Sequence, residues 1–275
     1  VMIFGLLKSK QGAPWGRPVT IVAALLALLL ALGNMLGSGG QNPEKLRQIM
    51  ERFRAAAGTK IGQHLAETYP GANALVLMPQ AMPGREGPEL SEYEQVFVDA
   101  LRDALEGKVN IAATVTPEPP PEVLKQYEEM MDQMRGEGSE DVSDYDMEMM
   151  YEAMPMYEWF TAERLDEIVR KHEDECDLLI AVCDLPPDLF NARFWRRKNP
   201  PKVVVTSGTV YPYFKAIQAD AIVAALAHNP EAGFDEKPPK DIDKAFAKRY
   251  LLVTPENVET VADKFPNLFD PDGTN

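Results

Sequence analysis

Cysteine and histidine are scarce in this chain, with two cysteines and three histidines among 275 residues. Cys176 and Cys183 lie in and beside one apolar run, and the extended chain between them spans roughly 23 Å, far beyond disulfide reach. We predict that both are small buried hydrophobic residues, because a metal pair or redox couple needs closer spacing and a further His or thiol. The sequence also lacks the G-x-S-x-G elbow and every other specific catalytic, metal or phosphate motif. No enzymatic activity and no cofactor are therefore predicted.

Acidic residues are absent from the first forty positions, although the whole chain has a formal net charge of −15. Those positions hold three basic residues, Lys8, Lys10 and Arg17, so the rest of the chain carries −18. Such a surface repels the phosphates of nucleic acids and of anionic lipids. Nucleic-acid binding is thereby excluded as the main function.

One uncharged run, Val19 to Leu36, has only Thr20 and Asn34 as polar residues. As a helix it would extend about 27 Å, enough for a bilayer core. A cleaved signal peptide is the alternative, but the run is long for the hydrophobic part of one. The predicted organisation is a cytoplasmic tail at 1–18, a transmembrane helix at 19–37, a membrane-proximal helical linker at 38–70 and an α/β domain at 71–275.

The orientation of this anchor follows from two opposing charge arguments. Three basic residues precede the apolar run and five follow it closely, a count that favours a cytoplasmic C terminus. A short acid-free tail with three positive charges is nevertheless difficult to translocate, whereas long domains cross largely regardless of charge. We predict a cytoplasmic N terminus and an extracytoplasmic, periplasmic domain in contact with the bilayer surface.

Small residues recur at four-residue spacing along the apolar run. Such a stripe lets a second helix approach closely in lipid, although an ordinary Ala-rich anchor would show the same spacing. The pattern is compatible with helix packing in a homodimer or with other membrane-protein subunits. The residues of the stripe are Ala23, Ala27, Ala31, Gly33 and Gly37.

Six short apolar runs follow, at 74–78, 110–116, 177–183, 202–207, 221–227 and 250–254. Their apolarity is continuous rather than alternating, which indicates strands buried on both faces and therefore a mostly parallel sheet covered by helices. Helices are predicted at 43–58, 60–68, 91–105, 161–175 and 241–249, with Ser91 and Glu94 forming a capping box. The expected fold is a three-layer doubly wound α/β domain. The strand pattern resembles a flavodoxin-like sheet or one lobe of a periplasmic binding protein.

An acidic, methionine-rich insertion at about 118–160 interrupts this pattern. Methionine next to aromatic residues packs in cores or forms adaptable surfaces for partner proteins. Thioethers also suit Cu(I), so a copper site is a third interpretation, whereas the segment lacks the glycine and terminal glutamate of an EF-hand. The methionines singled out for partner or lipid contact are Met147, Met149, Met150, Met154 and Met156.

Polar residues that follow the predicted strands are the candidate ligand-binding residues, because doubly wound sheets bind ligands outside the carboxyl ends of their strands. The loop at 207–209 precedes a predicted helix and could form an anion nest. The same residue types also form turns for conformational reasons alone. The candidates are Gln80, Asp184, Ser207, Gly208, Thr209, His228 and Asn229.

A basic and aromatic cluster at 193–198 is the only dense positive run outside the N terminus. Such a cluster contacts anionic headgroups or partner subunits, or else forms a solvated loop with its aromatic rings in the core. The residues proposed for contact are Arg193, Trp195, Arg196 and Arg197.

Taken together, the sequence favours a non-catalytic accessory or scaffold subunit of a membrane complex. A membrane-tethered ligand-binding or sensor domain is the alternative, and a copper protein or hydrolase comes third.

Overall fold

The computed structural model describes residues 43–79, 91–126, 129, 156–173, 176–233 and 237–270. The chain divides into two units, Val1–Ile49 and Met50–Asn275. The predicted transmembrane segment at 19–37, with its stripe of small residues, lies outside the described residues and stays a prediction. In the part of the chain that is described, no helix is both long and apolar enough to cross a bilayer.

A single six-stranded mixed sheet forms the centre of the second unit. The strand order is β2-β1-β3-β4-β5-β6, in which β1 to β5 are parallel and β6 is antiparallel to β5. All six predicted strands are therefore confirmed. They are β1 (Asn73–Leu77), β2 (Asn110–Val115), β3 (Leu178–Ala181), β4 (Lys202–Gly208), β5 (Ile222–His228) and β6 (Tyr250–Val253).

The central strands are buried on both faces, as continuous apolar runs require. All four residues of β3 and the first six of β5 are buried. Thr206 is a buried polar residue of β4, and its hydroxyl donates a hydrogen bond to the carbonyl of Ala181 at 2.9 Å. Residues 121–126 are also helical. The helices for which both ends are described are α1 (Pro43–Thr68), α2 (Glu92–Leu105), α3 (Met156–Trp159), α4 (Ala162–Lys171), α5 (Phe214–Gln218), α6 (Ile242–Arg249) and α7 (Val258–Lys264).

Three of these helices begin where their side chains predict. Ser91 and Glu94 form the full capping box at the start of α2. Thr161 caps α4 and Asp241 caps α6, each accepting a hydrogen bond from a backbone N–H of the first turn. Helix α4 ends at Lys171 with His172 as its C-cap, so the predicted end at residue 175 was too late.

Helix α1 is continuous, whereas the sequence predicted two helices separated at Gly58. A Cβ atom at Gly58 would lie 2.3 Å from the carbonyl oxygen of Phe97, and one at Gly62 would lie 2.6 Å from the Cβ of Ala104. Glycine is therefore required at both positions, because α2 crosses α1 here and leaves no room for a side chain. The residues of α1 that face the core, Phe53, Ala57, Ile61 and Leu65, are almost fully buried.

The two cysteines are free thiols, Cys183 buried and Cys176 partly buried. Burial raises the pKa of Cys176 to about 11 and that of Cys183 to about 12. Since the thiolate is the reactive form, we expect neither to react appreciably with a maleimide at neutral pH in the native protein. Both should react rapidly in denaturant, as followed by mass spectrometry. Fast native labelling of Cys183 would contradict the packing described above.

Candidate functional site

The carboxyl ends of β4 and β5 bring two predicted site residues into contact. Gly208 ends β4 with a positive φ of 89°, and a Cβ built there would lie 2.9 Å from both Cδ2 and Nε2 of His228. His228 ends β5 and is exposed. The absence of a side chain at Gly208 thus lets the imidazole lie directly against the end of β4, with one side open to solvent.

Two tyrosines continue this arrangement away from β4. His228 is paired with Tyr250, the first residue of β6, and their ring centroids are 5.4 Å apart. The hydroxyl of the buried Tyr250 is 3.3 Å from that of Tyr93 on α2. Burial raises the pKa of Tyr250, and the hydrogen bond with Tyr93 raises it further, so this phenol is neutral at physiological pH.

Two buried arginines complete the site. The guanidinium of Arg54, on α1, lies 4.1 Å from the ring centroid of Phe97 and 5.3 Å from that of Tyr93. Arg249, at the end of α6, lies 4.6 Å from the ring centroid of Phe53. Arg54 is 9% exposed and Arg249 is 3% exposed. We call the set of Arg54, Tyr93, Gly208, His228, Arg249 and Tyr250 the strand-end cluster.

Electrostatics around His228 are positive, in contrast to the acidic chain as a whole. Its pKa is lowered by partial burial and then by the charges of Arg54 and Arg249. The imidazole is therefore neutral at pH 7 and can donate from one ring nitrogen and accept at the other. A ligand that carried negative charge to this position would reverse the shift.

The remaining predicted candidates are distributed differently. Asp184 follows β3 and is exposed. Burial raises the pKa of Tyr213 to about 12, and the negative charge of Asp184 contributes to this rise. Ser207 is partly buried and Thr209 is exposed. Helix α5 begins only at Phe214, after the 3-10 turn Tyr211–Tyr213, so the loop does not lead directly into a helix N terminus as the anion-nest prediction requires.

The side-chain amide of Asn229 forms hydrogen bonds within the chain through both its nitrogen and its oxygen. Its Nδ2 donates to the carbonyl of Ala247 at 2.9 Å, and its Oδ1 accepts from the backbone N–H of Glu231 at 3.0 Å. This geometry matches the turn-forming alternative for such residues. Gln80 lies outside the described residues, so its candidate role stays a prediction.

Of the methionine-rich insertion at about 118–160, residues 118–126, 129 and 156–160 are described. Met147, Met149, Met150 and Met154 lie outside the described residues, and Met156 begins α3, partly buried against the core. The described residues contain no group of three or more His, Cys, Asp or Glu side chains arranged to hold a metal ion. The partner-contact and copper interpretations therefore stay predictions.

The basic and aromatic cluster adopts a 3-10 turn, Arg193–Arg196. The carboxylate of Asp166 accepts hydrogen bonds from the backbone N–H groups of Arg193 and Phe194. Phe194 is buried, and Trp195 donates its Nε1 hydrogen to the carbonyl of Leu189 at 3.0 Å. Arg193 and Arg196 are exposed, while Arg197 lies 3.7 Å from Glu173. The structure thus has the rings turned inward and most of the positive charge turned outward.

An aromatic groove of about 1230 Å³ lies on the surface formed by α5, α7 and the turns next to them. Phe190 and Tyr211 on its wall are each about half exposed, at 53% and 52%. None of the residues of the strand-end cluster lines this groove. Its aromatic wall is formed by Phe190, Trp195, Tyr211, Phe214 and Phe269.

Sequence reasoning missed four members of the strand-end cluster: Arg54, Tyr93, Arg249 and Tyr250. A signal was present for the two arginines, since each sits among the apolar residues of a helix face where a charged residue is unexpected. The tyrosines carried no comparable signal, because aromatic residues at such positions are ordinary core residues.

Comparison with known proteins gives no family. No protein-family profile and no curated protein matches the chain. Among solved structures, a solute-binding protein of an ABC transporter from Actinobacillus succinogenes 130z with bound D-allose is similar at a TM-score of 0.41 and 8% identity, over 75% of this chain and 62% of that one. The glucose-galactose binding protein GanP of Geobacillus stearothermophilus gives 0.39 and 12%, over 77% and 54%.

A chain of the complex between the TorS sensor domain and TorT, without ligand, gives a TM-score of 0.34 and 9% identity, over 65% of this chain and 45% of that one. This chain therefore spans less than two thirds of the length of each of these proteins.

Proposed function

We propose that the α/β domain is a non-enzymatic ligand-binding or sensor domain, and that it binds a small molecule at the strand-end cluster. The observation that supports this proposal is the exposed imidazole of His228, held against Gly208 beside a buried arginine. It lies at the edge of the sheet where parallel α/β folds bind their ligands. The described residues offer no nucleophile paired with a base, which favours binding over catalysis.

For the cellular setting, we propose that residues 19–37 anchor the domain to the membrane, with a cytoplasmic N terminus and the domain in the periplasm. The uncharged run and the positive acid-free tail support this arrangement. A tethered domain that binds a small molecule beside the bilayer is suited to deliver a ligand, or a ligand-dependent signal, to a membrane partner.

The binding proposal is tested by a thermal-shift screen of the full chain in a nonionic detergent, with small anions, sugars and amino acids as ligands. We expect at least one ligand to raise the Tm, and Gly208→Ala to weaken that shift because its Cβ would displace the imidazole. His228→Gln should also weaken it. His172→Gln, which changes a histidine at the end of α4, is the matched control and should keep the full shift.

An accessory or scaffold subunit is the second candidate, and the aromatic groove favours it. Exposed Phe and Tyr side chains on one wall are typical of contacts with partner proteins. Other membrane-protein subunits, or a second copy joined through the transmembrane helix, are the partners that this function requires. Native mass spectrometry after mild solubilisation tests it, and detection of isolated protomers alone would contradict it.

A further inference from the structure

Arg54 is a buried arginine that forms no ion pair with any described residue. Its guanidinium is buried, and its Nε has no hydrogen-bond partner in the described part of the chain. The described ion pairs do not include it, and its close neighbours are the faces of two aromatic rings. A buried guanidinium without an anionic partner costs several kcal/mol, far more than the roughly 2 kcal/mol of a desolvated cation–π contact.

The described neighbours of Arg54 supply aromatic ring faces and hydroxyl donors. Tyr93 contributes a hydroxyl from α2 and Tyr250 contributes one from β6, and the two oxygens are 3.3 Å apart. Arg249 adds a second buried positive charge from α6. His228 is exposed, so its imidazole is accessible to a ligand from solvent.

We propose that the strand-end cluster is an oxyanion site, in which a carboxylate or a phosphate-like group of the ligand is bound by Arg54 with donors from His228 and the Tyr93–Tyr250 pair. This inference rests on the proposed binding function and narrows its ligand class to anions. Guanidinium groups bind oxygen anions through charge-assisted hydrogen bonds, which are about twice as strong as neutral ones. The anion supplies the acceptor that the Nε–H of Arg54 lacks and a counter-charge for its guanidinium.

Sulfate is the probe, because its charge stays constant down to about pH 4, whereas the imidazole of His228, whose pKa burial and the two arginines lower, gains its proton below the ordinary histidine pKa of about 6.5. The Tm of the full chain in nonionic detergent is followed against sulfate concentration, with chloride used to hold the ionic strength constant. We expect a saturable rise in Tm, which separates binding from the gradual stabilisation that sulfate gives to any protein by exclusion. A parallel series with succinate separates a carboxylate ligand from a phosphate-like one.

Arg54→Met tests the role of the guanidinium. Loss of a charge-assisted hydrogen bond and its ion pair should weaken sulfate binding by roughly 10- to 100-fold. Arg102→Met, which changes an exposed arginine of α2, should leave the binding curve unchanged. If Arg54→Met fails to fold, Arg54→Lys keeps the charge but loses the Nε donor, and it should weaken binding as well.

The pH dependence tests the position of the anion. The charged or titratable groups that face His228 are Arg54 from α1, Arg249 from α6, and the hydroxyls of Tyr93 and Tyr250. An anion among them favours the imidazolium, and the pKa of His228 is lowered in the free protein, so sulfate binding should tighten as the pH falls from about 7 to about 5. His228→Gln should remove this pH dependence while retaining part of the binding.

The outcomes separate this inference from the proposed function. A neutral sugar that raises the Tm through His228 and Gly208, with no saturable effect of sulfate or succinate, keeps the binding function and overturns the oxyanion site. Sulfate binding that is unchanged in Arg54→Met and Arg54→Lys also overturns it. The absence of any ligand sensitive to His228 or Gly208 overturns both.

Discussion

Replacing Arg54 with methionine is expected to raise the free energy of unfolding by about 1–3 kcal/mol in buffer free of polyvalent anions. The substitution removes a buried charge that has no anionic partner in the described residues, while the unbranched side chain keeps most of the volume. The cation–π contacts with Phe97 and Tyr93 are lost, but a thioether beside aromatic rings recovers about 0.3–1.5 kcal/mol of that loss. Urea unfolding followed by circular dichroism measures the change.

The matched substitution Arg102→Met changes the same residue type on the exposed surface of α2. The only ion pair of Arg102 with a described residue, to Asp99 at 3.5 Å, is solvent-exposed, and such a pair contributes about 0–1 kcal/mol. Its stability should therefore change little. A loss of stability in Arg54→Met larger than that in Arg102→Met would show that the folded protein compensates the Arg54 charge by itself.

Alanine at Gly58 should destabilise the domain by about 2–4 kcal/mol, although alanine is favoured over glycine by about 1 kcal/mol in an open helix. The added Cβ would lie 2.3 Å from the carbonyl oxygen of Phe97 and 3.0 Å from the backbone nitrogen of Leu101. Because these are backbone atoms of α2, no side-chain rotation relieves the overlap, and the two helices must separate. Chemical denaturation measures the difference in the free energy of unfolding.

Gln63→Ala is the control for this substitution. Gln63 lies on an exposed position of the same helix, so the change tests helix propensity without the crossing, and its effect should stay within about 0.5 kcal/mol. If Gly58→Ala were instead as stable as the unsubstituted chain, the close crossing of α1 and α2 would not exist in solution.

The sheet could be predicted from the sequence because its signal is local. Runs such as Leu178–Ala181 and Ile222–His228 are apolar at nearly every position, and only a strand covered on both faces explains so short a run. Helix starts were equally local, since Ser91 and Asp241 carry their own capping side chains. The parallel direction of β1 to β5 follows from connections of a dozen residues or more, which return the chain to the same edge of the sheet before each next strand.

The interior of α1 could not be predicted in the same way. Gly58 disfavours a helix by its own preference, and the close approach of α2, which requires a glycine there, comes from residues about forty positions further along the chain. The candidate site was recovered in part for a related reason. Gly208 and His228 stand at strand ends that a sequence pattern locates, whereas Arg54 and Tyr250 join them only through the packing of α1 and the reversed direction of β6.

The antiparallel direction of β6 affects how the site can vary. A parallel strand would begin at the opposite edge of the sheet and would contribute its last residue to the strand-end cluster. Strand β6 instead begins at the edge where β4 and β5 end. Its first residue, Tyr250, follows directly after helix α6. Because α6 ends at Arg249 and β6 begins at Tyr250, this helix–strand junction sets which side chains stand beside His228. Changing the residues of the junction would offer a way to alter ligand preference while the five parallel strands keep their pairing.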